Sequence, residues 1–215
     1  CTPAFFFICT LAFTQSNPYP QGYFRWPVAA EKGVVANMGE LRPNHWHMGL
    51  DIRTDQRQNI SVLAAAKGYI SKIRIEPLGF GRAIYINHPN GLTTLYAHLN
   101  NFFPELEAYV TAQQYKQESW AIEIDVPQNL FPVDAGQFIA YSGNTGGSQG
   151  PHLHFEIRDT KNDKVLNPLL FDFPLYDYAS PSITKIAMYD RSRSVYEQTP
   201  KFFSIKKTDS GYIIP

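Results

Sequence analysis

The sequence predicts an all-β protein with one inserted helix and the start of a second β domain at its C-terminal end. Over residues 34–157 apolar residues recur with period two, in short runs bounded by glycine, proline and asparagine. That alternation belongs to half-buried strands. Within the stretch, "HPNGL" places Asn90-Gly91 between two strand-like runs, a pair suited to the positive φ angles of a tight antiparallel hairpin. One segment departs from the pattern. In "PELEAYVTAQQYKQESW", Leu106, Tyr109, Val110 and Gln113 fall at three-four spacing after Pro104, the mark of an amphipathic helix opened by proline.

In chain order, "CTPAFFFICTLAFTQSNPYP" begins with an apolar run at residues 4–13. It reads as a signal-peptide remnant over residues 1–14, with Ala12 and Thr14 as the small residues ahead of cleavage before Gln15. The run is short for a membrane span, so the mature chain is expected to have no stable span and to be secreted across the inner membrane into the periplasm or cell envelope. Cys1 and Cys9 are the only cysteines, and their removal would leave neither disulfide nor thiolate chemistry. "NPYPQGYFRWPV" is a proline-restricted, extended lead-in. The runs "SVLAAAKGYISKIRI", "RAIYINHPNGLTTLYAHL" and "GQFIAYSGN" follow as strands, the helix interrupting them. After "LNPLLFDFPLYDY" a new strand-like run begins at "SPSITKIAMYD", so residues 180–215 read as the truncated start of a second β domain.

Composition narrows the function. With 215 residues, 44% hydrophobic and 18% charged, the chain is globular. Nineteen basic residues balance nineteen acidic ones, which gives no argument for nucleic acid or an anionic membrane as partner.

The chemistry gathers in three stretches. In "PHLHFEI" a strand places His152, His154 and Glu156 on one face and Leu153, Phe155 and Ile157 on the other. "HMGLDI" repeats the arrangement, with His47, Gly49 and Asp51 opposite Met48, Leu50 and Ile52. In "TTLYAHL" the same alternation puts His98 with Tyr96 and Thr94, opposite Leu95, Ala97 and Leu99. Greasy backs with metal-competent fronts fit a catalytic zinc site, in which three imidazole or carboxylate ligands leave one position open. Histidines beyond those three would carry protons or stabilise an oxyanion. No HExxH helix is present. The run "GNTGGSQG" precedes a strand and is followed by no lysine, so it reads as turn glycines rather than a phosphate loop.

"HMGLDI", "LYAHL" and "GNTGGSQGPHLHFEI" resemble the HxxxD, central-histidine and HxH motifs of lysostaphin-type, LytM-like zinc metallo-endopeptidases, in the same order and over roughly residues 20–170. The resemblance implies a compact antiparallel β domain with an open groove, spanning residues 15–175. It implies one zinc ion held by His47, Asp51 and His154, with His98 and His152 as the catalytic histidines. It also implies hydrolysis of peptide bonds in peptidoglycan cross-links or stems. Residues 100–133 depart from the family pattern as an insertion, whose helix would wall or narrow the groove.

Two alternatives compete: a non-catalytic peptidoglycan-binding or amidase-activating module of the same fold, and a sugar-transport phosphocarrier with a reactive histidine pair, which the apparent signal disfavours. Of the remaining polar residues, His45 stands in register with His47, His88 beside the hairpin turn is most simply solvated, and Glu156 is expected as a salt-bridge partner at the rim. Tyr96 is expected to pack beside His98. Arg42 and Asn44 are equally well read as groove lining or as ordinary loop polarity.

Overall fold

The computed structural model describes residues 17–42, 45–175, 182–209 and 211–215. The signal segment 1–14 and Asn44 lie outside them. The chain divides into two units, Cys1–Leu175 and Tyr176–Pro215.

In the first unit the period-two runs form strands β1 (Val34–Ala36), β2 (Leu50–Arg53), β3 (Ser61–Leu63), β4 (Gly68–Ile75), β5 (Arg82–Asn87), β6 (Leu92–Ala97) and β7 (Leu99–Phe102). Helix α1 (Pro104–Gln117) comes next, then β8 (Ile122–Asp125), β9 (Pro132–Val133), β10 (Phe138–Ser142), β11 (His152–Asp159) and β12 (Val165–Leu166). A large sheet runs β1-β2-β11-β6-β5-β4-β8, with β12 against β11 and β9 against β4; β3-β10-β7 make a smaller one. The pairings are antiparallel. The β5–β6 hairpin turns at Asn90-Gly91 as expected, with Gly91 at φ 80° and its N–H donating to His88 O. The second unit contains two hairpins, β13 (Lys185–Met188) with β14 (Lys201–Ser204) and β15 (Lys206–Thr208) with β16 (Gly211–Ile213).

One apolar cluster unites the inner faces of the two sheets. Leu50, Ile52, Leu153 and Phe155 from the large sheet meet Val62 and Ile139 from the small one, all with no exposed surface. Complete burial of each such side chain contributes about 1.5–3 kcal/mol. With Leu50, Ile52, Leu153, Phe155 and Ile157 turned inward, the pleat must turn Asp51, His152, His154 and Glu156 outward. A small second cluster of Ala83, Tyr85, Leu95 and Ala97 lies on that outer face.

Strand β6 departs from the sequence reading. Thr94 and Tyr96 face the main core, where the Tyr96 hydroxyl accepts from Ala65 N–H at 2.8 Å and from the Thr94 hydroxyl at 2.9 Å. Tyr96 therefore packs against Phe155 rather than beside His98. His98 stands between β6 and β7 at φ 60°. This left-handed residue breaks the period of two and brings its ring to the face of Leu95 and Ala97, not that of Tyr96.

Helix α1 forms where the three-four spacing puts it. It buries Leu106 and Val110, begins with Pro104, and ends at Glu118 in the left-handed region. The first-turn Glu107 accepts from Phe102 N–H at 2.9 Å, and Arg82 Nη2 reaches both its oxygens at 2.6 and 2.7 Å. These contacts tie the helix to the domain, away from the cleft, and no residue of 100–133 lines the cleft among the described residues. The helix does not wall the groove.

Candidate active site

Antiparallel register places the first pair. His154 of β11 stands directly opposite Asp51 of β2, with Leu153 opposite Ile52 and Phe155 opposite Leu50. A side chain at Gly49 would collide with this pairing: a Cβ there would lie 2.5 Å from Phe155 O and 2.8 Å from Glu156 Cγ. His47 precedes β2 and is held by backbone bonds, its N–H donating to Glu40 O at 2.9 Å and its carbonyl accepting from Gly39 N–H at 2.7 Å. His47 Nε2 then lies 2.9 Å from Asp51 Oδ1 and 3.0 Å from His154 Nδ1, while His154 Nδ1 is 3.0 Å from Asp51 Oδ1. All three residues are buried.

The other two predicted histidines close around this trio. His152 Nε2 is 3.3 Å from Asp51 Oδ1, and the His98 ring centre is 4.8 Å from that of His152 and 5.9 Å from that of His154. The glycine run delivers them. Gly146, at φ 71°, packs so closely on Gly79 and Gly81 that no Cβ would fit, and Gly147 N–H donates to Gly79 O at 2.8 Å. Thr145, fixed by hydrogen bonds with Arg82 N–H and Leu99 O, turns its carbonyl toward His98. The sequence thus brings all five expected residues, His47, Asp51, His98, His152 and His154, to one cleft of about 820 Å³.

Ring nitrogens remote from the centre fix the protons. His47 Nδ1 donates to Asn37 O, His98 Nδ1 to Thr145 O and His152 Nδ1 to Gly150 O, each at 2.8 Å. A carbonyl oxygen only accepts, so in the neutral rings the opposite nitrogens carry lone pairs. His47 Nε2, His152 Nε2 and Asp51 Oδ1 therefore present lone pairs to one another. This arrangement is repulsive unless a cation or a proton sits among them.

Charge follows from these contacts. Burial opposes ionisation of Asp51, but the imidazoles of His152, His154 and His47 crowded against it, when they hold a proton among them, outweigh it and keep the carboxyl far below the usual range. Burial also opposes a charge on His154, yet Asp51 and Glu156 raise it to about 9. At His98 burial, reinforced by the nearby His152 and His154, lowers the value to about 4, so this ring is neutral at physiological pH.

Of the other residues, some sit where the sequence did not place them, and Arg42 takes the groove-lining place of its two readings. Glu156 is not at the rim; it is 1% exposed, 2.9 Å from His154 Nε2 and 2.6 Å from Arg158 Nε. Its position on the histidine face of β11 was the available signal. Arg42 lines the cleft and donates to Asp51 Oδ2 at 3.2 Å. Phe80, whose ring centre is 5.6 Å from that of His154, carried no signal beyond its flanking glycines. His45 is exposed at the cleft edge. His88 is not solvated: it is buried, bonded to Lys67 O and the Thr94 hydroxyl, and burial lowers it to about 4.

The donor set fits a divalent metal. One ligand atom each from His47, Asp51 and His154 lies within 4.8 Å of the others, and two imidazoles with one carboxylate are donors of the kind that divalent-metal sites use. These three are the residues that would hold the ion.

The model of peptidase family M23 matches residues 45–115 and 123–168, more than half of the chain. An uncharacterized metalloprotease of Haemophilus influenzae is 29% identical over 169 residues, 74% of this chain and 29% of its own length. The DD-carboxypeptidase/endopeptidase Mpg of Neisseria meningitidis serogroup B is 33% identical over 128 residues, 60% of this chain and 23% of its own. The chain spans less than a third of either relative. A zinc-containing peptidase from Vibrio cholerae shares the fold, with a TM-score of 0.52 at 23% identity, over 72% of this chain and 41% of that one. With its His-Asp-His group inside the matched region, the chain belongs to peptidase family M23, the lysostaphin-type family.

Proposed function

We propose that the protein is a zinc-dependent endopeptidase that cuts peptide bonds in the cross-links or stems of peptidoglycan. The observation that carries this reading is the convergence of His47 Nε2, Asp51 Oδ1 and His154 Nδ1 at 2.9–3.0 Å in an open cleft that also holds His98 and His152. A zinc ion held by these three residues would supply a Lewis acid that polarises a carbonyl and acidifies water. The chain does the rest. Neutral His98, its Nδ1–H committed to Thr145 O, accepts a proton at Nε2 from the attacking water. His152, one ring away, relays a proton to the leaving amine. Arg42 restrains Asp51 through Oδ2, which leaves Oδ1 available to hold a metal ion. A second, polar groove of about 580 Å³ shares Arg74, Phe80 and Arg158 with the cleft, room for an extended peptide along the sheet.

The same reading places the protein in the cell envelope, with residues 180–215 as part of a second β domain. No helix among the described residues is long and apolar enough to cross a membrane. The test is digestion of purified sacculi with the products read by mass spectrometry. Soluble peptide-containing fragments should appear, stop on chelation and return with zinc. Binding to sacculi without release of fragments would favour the non-catalytic module.

A further inference from the structure

We propose that Glu156 is the positioning residue that selects which nitrogen of His154 faces the metal; this rests on the metal-site reading above. His47, His98 and His152 each have their outer N–H held by a backbone carbonyl. His154 has no such option. It lies inside β11, paired on one side with Asp51 of β2 and on the other with Ala97 of β6, so the neighbouring carbonyls serve the sheet. Glu156 takes their place. Two residues on, and on the same face, it brings Oε1 to 2.9 Å from His154 Nε2.

A carboxylate only accepts, so each ring nitrogen faces an acceptor, Nε2 toward Glu156 Oε1 and Nδ1 toward Asp51 Oδ1; a metal ion between Nδ1 and Asp51 needs the Nδ1 lone pair, and Glu156 then keeps the hydrogen on Nε2. Nδ1 is the atom that meets Asp51 Oδ1 and His47 Nε2. The second carboxylate oxygen is also committed, accepting from Arg158 Nε at 2.6 Å, and Arg158 Nη1 reaches Asp163 at 2.8 Å. An exposed turn carboxylate, a guanidinium and a buried carboxylate thus form a chain that ends on a metal ligand. Arg158 only donates, so it holds the acceptor in place from behind.

Glutamine at 156 could not serve both neighbours. With its oxygen toward His154, its NH₂ would oppose the Arg158 N–H. With its oxygen toward Arg158, the NH₂ would donate to His154 Nε2 and move the ring proton to Nδ1, the position the metal needs. Such outer partners typically govern metal affinity by 10–100-fold.

The experiment measures zinc affinity by chelator competition for the unaltered protein and Glu156→Gln, together with the ¹⁵N spectrum of His154 in the metal-free forms, followed to a pH at which the spectrum itself shows the ring neutral. The unaltered protein should show the Nε2–H tautomer, and Glu156→Gln should shift it toward Nδ1–H and weaken zinc binding about 10-fold or more. A wild-type Nδ1–H tautomer overturns the proposal and needs no variant to fold. So does a folded Glu156→Gln protein, judged by its melting curve, with unchanged affinity and tautomer. If the unaltered protein binds no zinc while His154 shows Nε2–H, the metal reading fails and the tautomer assignment stands.

Discussion

His98 shows how much one residue's backbone can decide. Strict alternation assigned it to the face of Tyr96; its φ of 60° turns it into the cleft instead, and the sequence carries no glycine or asparagine there to announce the change. Because its Nδ1 is bonded to Thr145 O and it touches none of the three ligand atoms, His98→Ala should lower turnover by about 10²–10⁴-fold while zinc content is unchanged, as checked by parallel kinetics and metal analysis. His88 makes a second single-residue case. Its folded value of about 4 lies below the ordinary 6.5, so the unfolded chain takes up the proton first. Its contribution is intact above about pH 6.5 and is lost as pH falls toward 4, about 3 kcal/mol in all. Denaturant titrations at several pH values should show this loss, and His88→Gln should flatten that part of the curve. The hairpin beside His88 was legible from Asn90-Gly91, but the burial was not, because Phe24 and Tyr23, whose rings pack on it, come from the distant lead-in.

At the scale of elements, the period of two in "HMGLDI" and "PHLHFEI" was enough to place Asp51, His152 and His154 on one face, since the apolar partners have no other place to go. The pairing of β2 with β11 was not in the pattern, because strand register across about a hundred residues depends on the whole sheet. Gly49 is where the two meet. Gly49→Ala would press on Phe155 O, part β2 from β11 and separate Asp51 from His154. A loss of about 1–3 kcal/mol together with weakened zinc binding is expected, measured by thermal unfolding with and without zinc. Helix α1 was legible from Leu106 and Val110, yet its docking was not: the Arg82–Glu107 contact that keeps it off the cleft joins residues from separate elements. The alternation in the sequence gives the face of Glu156 but not its burial, since the burial of a carboxylate depends on the arginine and histidine that flank it.

For the molecule as a whole, the large sheet turns one face to the core and the other to the cleft, and the five residues His47, Asp51, His98, His152 and His154 converge on that second face from a loop, two strands and a left-handed bend. None of these segments can hold a cation alone. The account's central claim is that the fold brings His47, Asp51 and His154 together to grip one divalent ion. Native mass spectrometry of the protein equilibrated with zinc, beside His154→Ala, tests this most directly. One zinc per chain, lost in the variant, is the expected result. A variant that keeps its zinc, or an unaltered protein that takes none, would contradict the account.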